Sequence, residues 1–117
     1  MAFQAPTETY KGQIRQVDLG GVVVGGENAF PFHTFEGEMP NDPKVAFEVW
    51  DIAPDDWSPT LNDVYDGVYS DPVAWAKKVV DEFGADLVYL RLKSTDPNGA
   101  DRSPADAAET ADADADK

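Results

Sequence analysis

The chain has 117 residues, enough for one small domain with its own core and too few for two. Its 42% hydrophobic content, with three Trp, four Tyr and six Phe, is ordinary globular composition, which excludes disorder of the whole chain. The net charge of -14 argues against nucleic acid and anionic membrane as partners, and the absence of cysteine excludes disulfides, thiolate-bound zinc and any iron-sulfur cluster held by this chain.

No charged start followed by an apolar core marks a leader, and no apolar run approaches a membrane span, so a soluble cytoplasmic protein is expected. The acidity reads as a solubility device compatible with salt adaptation. Redox logic leaves the compartment open.

In chain order, "GQIRQVDL" and "VVVGG" are short β-prone runs separated by Gly20-Gly21, and predict a β-hairpin. The glycines read as a turn rather than a phosphate-cradling loop, because no Gly-Lys-Ser/Thr and no helix follow them. The stretch 25–43, "GGENAFPFHTFEGEMPNDP", reads as an ordered irregular segment anchored by Phe30, Phe32, Phe35 and Met39. His33 is the only histidine; lying among phenylalanines, it reads as a packed or surface side chain, and no metal site is expected on it.

"KVAFEVWDI", 44–52, reads as a strand apolar on both faces, as in a parallel sheet covered on each side. "APDDWSPTLNDVYDGVYS" is a turn-rich, acidic connection with room for one short helical turn. Asp71 then caps a helix with Pro72 at its first position, predicted over 72–83 and stopped by Gly84. Its apolar stripe is Val73, Ala76, Val79, Val80 and Phe83, with Lys77, Lys78, Asp81 and Glu82 largely outward. "LVYLRLKSTDPNG", 87–99, opens as a second strand, and Ser103, Pro104 and Asp106 start a second helix.

Strand, helix, strand, helix implies a parallel pair with a right-handed crossover, the unit of an α/β sheet or of a (β/α)8 barrel. Val73, Ala76, Val80 and Phe83 are expected to pack on Val45, Phe47, Val88, Leu90 and Leu92. Glu48 and Trp50 then share the far face with Arg91 and Lys93, where a barrel lumen would require Glu48 to pair with one of the cations. Two readings of those cations stand: a self-satisfied ion pair, or contact with a ligand phosphate.

Asp51, Thr95, Asp96 and Asn98 leave the C-terminal ends of the two strands, the edge at which α/β proteins assemble binding sites. They are the candidate cofactor-facing or partner-facing residues. Asp-Pro-Asn-Gly is equally a good turn sequence for local reasons. No set of residues forms a nucleophile with a base, so no catalytic residue and no metal ligand is assigned.

"GGENAFPFHTFEGEMPNDPKVAFEVWDIAPDDW", "DPVAWAKKVVDEFGADLVYLRLKSTDPNG" and the following "DRSP" resemble the N-terminal part of the acetyl-CoA decarbonylase/synthase delta subunit family, the small subunits of corrinoid iron-sulfur proteins. The likeness runs from about Tyr10 to Glu109. It implies a (β/α)8 barrel paired with a large subunit that carries the iron-sulfur cluster and the corrinoid (cobalamin). That pair shuttles a methyl group from a methyltetrahydropterin, by way of a methyltransferase, to acetyl-CoA synthase. The small subunit is implied to be a non-catalytic scaffold with a corrinoid-facing rim.

A complete barrel takes about 250 residues, whereas here the hairpin is followed by only two βα units. The expected organisation is a hairpin and irregular segment over 1–43, two βα units of a truncated TIM-type barrel over 44–109, and an acidic Ala/Asp tail over 110–117. A fragment, a truncated reading frame or one piece of a split subunit is the corresponding expectation. The alternatives are a pterin-binding methyltransferase-type barrel fragment and a standalone binding module built from a barrel remnant.

Overall fold

A computed structural model describes residues 2–6, 12–29, 33 and 37–115. The chain divides into two units, Met1–Lys44 and Val45–Lys117.

In the first unit, β1 (Gln16–Asp18) and β2 (Val23–Gly25) pair antiparallel, with Val17 opposite Val24. Gly20 and Gly21 sit at φ 73° and 99°, the two left-handed positions of a hairpin turn that follows the strand twist. The Leu19 amide donates to the Val22 carbonyl at 2.9 Å, and the Gly21 amide donates to Asp18 Oδ1 at 2.6 Å. The hairpin expected from the sequence is therefore present. Asn41 Nδ2 donates to the Gly25 carbonyl at 2.8 Å and the Asn28 amide to the Glu38 carbonyl at 2.9 Å, so both ends of the irregular segment are tied. Met39 is half-buried; the anchors Phe30, Phe32 and Phe35 lie outside the described residues.

In the second unit, β3 (Ala46–Trp50) and β4 (Leu87–Arg91) pair in parallel, Phe47 opposite Val88 and Val49 opposite Leu90. The crossover between them holds α1 (Pro59–Val64) and α2 (Pro72–Asp81), and α3 (Pro104–Ala115) follows β4. As the sequence implies, Asp71 caps α2: its Oδ1 accepts from the amides of Val73 and Ala74 at 3.0 and 3.2 Å, and Pro72 occupies the first turn, where no amide is needed. Gly84, at φ 68°, lets the chain leave the helix while the Gly84 and Ala85 amides close on the carbonyls of Val80 and Val79. The connection expected to hold one helical turn forms a six-residue helix, with Ser58 as cap and Pro59 following it.

The core keeps Val79 and Ala76 of the expected stripe and differs from it in the rest. Its fully buried members are Val49, Trp75 and Val79, so α2 points its Trp75–Val79 edge at the sheet. Phe47 and Leu90 pack against them, as do Trp57, Tyr65, Val68 and Tyr69 from the connection. Trp57 meets Trp75 edge-on at 5.2 Å between ring centroids, and Tyr65 lies 5.4 Å from the same ring. The connection is therefore a lid of aromatic rings on the open end of the core. It displaces Phe83, 40% exposed, to the margin, where it stacks on Phe47 at 5.8 Å and meets Tyr65 edge-on at 5.9 Å. Val80 is 46% exposed. The geometric reason is that a wide stripe on a single helix cannot face one two-stranded sheet everywhere. Ala76 packs against the core as expected, and Val73, Ala76 and Val80 face the expected partners Val88 and Leu90 across a groove shared with α3, whereas the expected partners Val45 and Leu92 are exposed.

The Ala/Asp run is helical as far as Ala115, with Ala107 its one buried residue among those described. Ser103 opens α3 as expected, its hydroxyl accepting from the Asp106 amide at 3.3 Å and donating to Asp106 Oδ2 at 2.8 Å. Among the described residues no helix is long and apolar enough to cross a membrane.

Candidate functional site: the ends of the parallel strands

Both strands deliver their C-terminal ends to one rim. The Asp51 amide donates to the Arg91 carbonyl at 3.2 Å, which carries the ladder one step past β3. The Asp51 side chain is only 6% exposed, and both its oxygens are engaged: Oδ1 accepts from the Ser94 amide at 3.0 Å, and Oδ2 accepts from the Ser94 hydroxyl. Ser94 is fully buried, and its carbonyl accepts from the Arg102 amide at 2.8 Å. The clamp thus ties the end of β3 to the loop after β4, and that loop to the entry of α3. Burying these polar atoms is acceptable only because each has its partner.

Of the other rim residues singled out from the sequence, Thr95 and Asp96 spend their side chains locally. Thr95 Oγ1 donates to the Leu92 carbonyl at 2.8 Å, and Asp96 Oδ1 accepts from the Asn98 amide at 2.8 Å. The Asp96 carbonyl also accepts from the amides of Gly99 and Asp101, both at 3.0 Å. Asn98 is exposed on the same loop. Asp51 is buried and bonded to Ser94, the residue before Thr95, while Thr95, Asp96 and Asn98 are exposed. Turn chemistry accounts for the bonds that Thr95 and Asp96 make.

Ser94 escaped the sequence reading, although a signal for it existed. It has the same parity as Leu90 and Leu92, so it continues the inward side of the strand as a small polar residue that must find a partner.

On the far face of the sheet, Arg91 Nη1 lies 3.4 Å from Glu48 Oε1, and the Trp50 indole donates to the same oxygen at 2.5 Å. Lys93 takes the other place the sequence left open, with Nζ 4.1 Å from the centre of the Trp50 ring. Glu48 therefore pairs with Arg91, while Lys93 rests on the indole. The burial expected of a lumen is absent here: the Arg91 and Glu48 side chains are 54% and 43% exposed.

The Trp50 hydrogen bond holds the Glu48 carboxyl below the usual carboxylate range; burial opposes it, and the Arg91 guanidinium adds to the lowering. A lowered value in the folded state means that the pair's contribution is present at neutral pH and is lost as pH falls through that value. For so exposed a pair, a double-mutant cycle of Glu48→Gln with Arg91→Gln is expected to give a coupling of at most about 1 kcal/mol at neutral pH. The coupling should vanish in acid; a value of several kcal/mol would mean that the face is covered in solution.

No three His, Cys, Asp or Glu side chains among the described residues converge as a metal ion would require. With no cysteine in the sequence, the residues present do not fit an iron-sulfur cluster.

Residues 16–115 match the family model described as CO dehydrogenase/acetyl-CoA synthase delta subunit. The chain is similar to the acetyl-CoA decarbonylase/synthase complex subunit delta of Methanocaldococcus jannaschii, 37% identical over 116 residues, covering 91% of this chain and 28% of that relative. The corresponding subunit of Methanothermobacter thermautotrophicus is 37% identical over 111 residues, with the same two coverages. That of Archaeoglobus fulgidus is 38% identical over 106 residues, covering 81% of this chain and 23% of the relative. The chain therefore spans about a quarter of the length of these curated relatives.

Proposed function

The chain belongs to the CO dehydrogenase/acetyl-CoA synthase delta subunit family, and from that premise we propose that it is a non-catalytic scaffold portion of a corrinoid iron-sulfur protein small subunit. In this reading its two βα units form part of a (β/α)8 barrel that works beside a large subunit carrying the cobalamin and the iron-sulfur cluster. It supports transfer of a methyl group from a methyltetrahydropterin, through a methyltransferase, to acetyl-CoA synthase in the cytoplasm.

The observation that carries this reading is the family match across residues 16–115, the whole of both βα units. Two features of the structure support it. The parallel pair with its crossover helix is the repeating unit such a barrel is built from. At the rim, the buried acid is spent on holding a loop in place: Asp51 is saturated by Ser94. An acid held in this way organises a surface better than it moves a proton.

The exposed residues Thr95, Asp96 and Asn98 are then the surface offered to the corrinoid or to a partner's backbone. The test changes Asp96 and Asn98 to Ala in the chain assembled with the rest of the barrel and the large subunit, and follows both assembly and methyl transfer. Reduced transfer by an intact assembly is the expected result. Unchanged transfer would reduce the loop to a turn.

A further inference from the structure

We propose that the far face of the β3–β4 pair binds a small-molecule carboxylate, held by Arg91 and Lys93 beside the ring of Tyr89, with Glu48 as the resident group that it displaces from Arg91. The inference rests on the side chains of this face and does not depend on the family reading.

Arg91 and Lys93 stand two residues apart and close on one indole: Arg91 Cζ lies 5.7 Å and Lys93 Nζ 4.1 Å from the centre of the Trp50 ring. Neighbouring cations repel each other, and in a sequence with 23 acids and nine bases an acid for each would be the ordinary remedy. Only one is supplied. Among the described residues Glu48 forms the one ion pair with either cation, and it reaches Arg91 through a single nitrogen at 3.4 Å. The rest of the guanidinium fork stays open, and Lys93 has an indole face in place of an acid.

Charge selects the class of ligand. Arg91 and Lys93 with Glu48 leave one net positive charge, which a carboxylate neutralises and a phosphate dianion would overshoot. The two oxygens of a carboxylate also match the fork of Arg91, with Lys93 as a point charge beside them. Glu48 gives up Arg91 at little cost, because the pair is exposed and the Trp50 indole still holds its Oε1 at 2.5 Å. Tyr89, two residues before Arg91 on the same side of β4 and 58% exposed, offers a ring to an apolar or aromatic body. Trp50 and Arg91 end two parallel strands, the edge at which such sheets assemble their sites. Asp51, next along the chain, is buried and turned onto Ser94. The net charge of -14 is otherwise spread over the chain, and charges beyond about 8 Å are largely screened at physiological ionic strength.

The test titrates benzoate into the 117-residue chain at constant ionic strength and follows the Trp50 indole N–H by NMR, assigned by its loss in Trp50→Phe. A saturable shift is expected, with benzoate bound more tightly than acetate, which lacks the ring, and more tightly than inorganic phosphate. Arg91→Gln and Lys93→Gln should each weaken binding about tenfold. Glu48→Gln removes the competitor and should tighten it several-fold. All three should leave the circular dichroism unchanged, since these side chains lie outside the buried core. Lys78→Gln, at a cation paired with Glu82 on α2, should leave binding as it was. No saturable shift in either the unsubstituted chain or Glu48→Gln, or equal binding after Lys93→Gln, would overturn the inference. Phosphate bound more tightly than benzoate would overturn it by assigning the face to another ligand class. An effect of Lys78→Gln as large as that of Lys93→Gln would overturn it as well, by reducing binding to attraction by any cation.

Discussion

Trp75→Ala is expected to cost about 3–5 kcal/mol, the range for deleting a buried large aromatic side chain. Trp75 is 1% exposed and lies in the core with Val49 and Val79, against the aromatic lid, with the Trp57 and Tyr65 ring centroids at 5.2 and 5.4 Å. The cavity left behind cannot collapse easily, because its walls are rings fixed by one another and by the Val49–Val79 contact. Small domains hold roughly 5–15 kcal/mol in all, so this one substitution should remove a large fraction of the stability. Trp75→Phe should be much milder: it keeps most of the apolar area and removes an indole N–H that is buried without a partner. By contrast, Phe83→Ala should cost clearly less than Trp75→Ala, because Phe83 keeps 40% of its surface in water. Chemical denaturation of the three variants gives the order. If Phe83→Ala proves the costliest, the core has been assigned to the wrong edge of α2.

Asp51→Ala should destabilise by roughly 3 kcal/mol, since it leaves the buried Ser94 hydroxyl and amide without an acceptor. Asp51→Asn keeps one acceptor oxygen and should be intermediate. The double variant Asp51→Ala/Ser94→Ala should recover part of the loss, because the orphaned hydroxyl is gone with its partner. Hydrogen exchange adds a local readout. The amides of Ser94 and Arg102, which bond through this clamp, should exchange faster in Asp51→Ala while those of β1 and β2 stay as they were. Additive losses in the double variant would mean that the two side chains act independently.

Much of this was legible in the sequence because the signals were local. Gly20-Gly21 between two β-prone runs fixes a hairpin turn, and Asp71-Pro72 with Gly84 brackets α2. Alternation along 87–93 placed Arg91 and Lys93 on the face of Glu48 and Trp50, as found. The family, too, was readable from long non-repetitive blocks.

What the sequence concealed was set by contacts across the chain. Trp75 interrupts the tidy stripe, so periodicity alone ranked Val80 and Phe83 above it; only the rings delivered by Trp57 and Tyr65 decide which edge of α2 is buried. By composition the connection 53–70 reads as a loop with room for one helical turn, yet its rings Trp57, Tyr65 and Tyr69 pack on the core. The clamp is half visible: position places Asp51 at the end of a strand, but its burial depends on Ser94, which is distant in sequence. A complete barrel implies a closed, costly lumen pair, whereas in this chain the pair is open to water, and its energetics follow exposure.

The central claim, that this chain is a working but non-catalytic portion of a delta-type subunit, is tested most directly by methyl-transfer kinetics with defined components. The chain alone, the chain with the remaining barrel portion and cobalamin-bearing large subunit, and the same assembly lacking the chain are each given a methyltetrahydropterin, the methyltransferase and acetyl-CoA synthase. The account predicts no transfer by the chain alone, transfer by the full assembly, and a marked loss when the chain is left out. Equal transfer with and without the chain, or methyl transfer by the 117-residue chain alone, would contradict it.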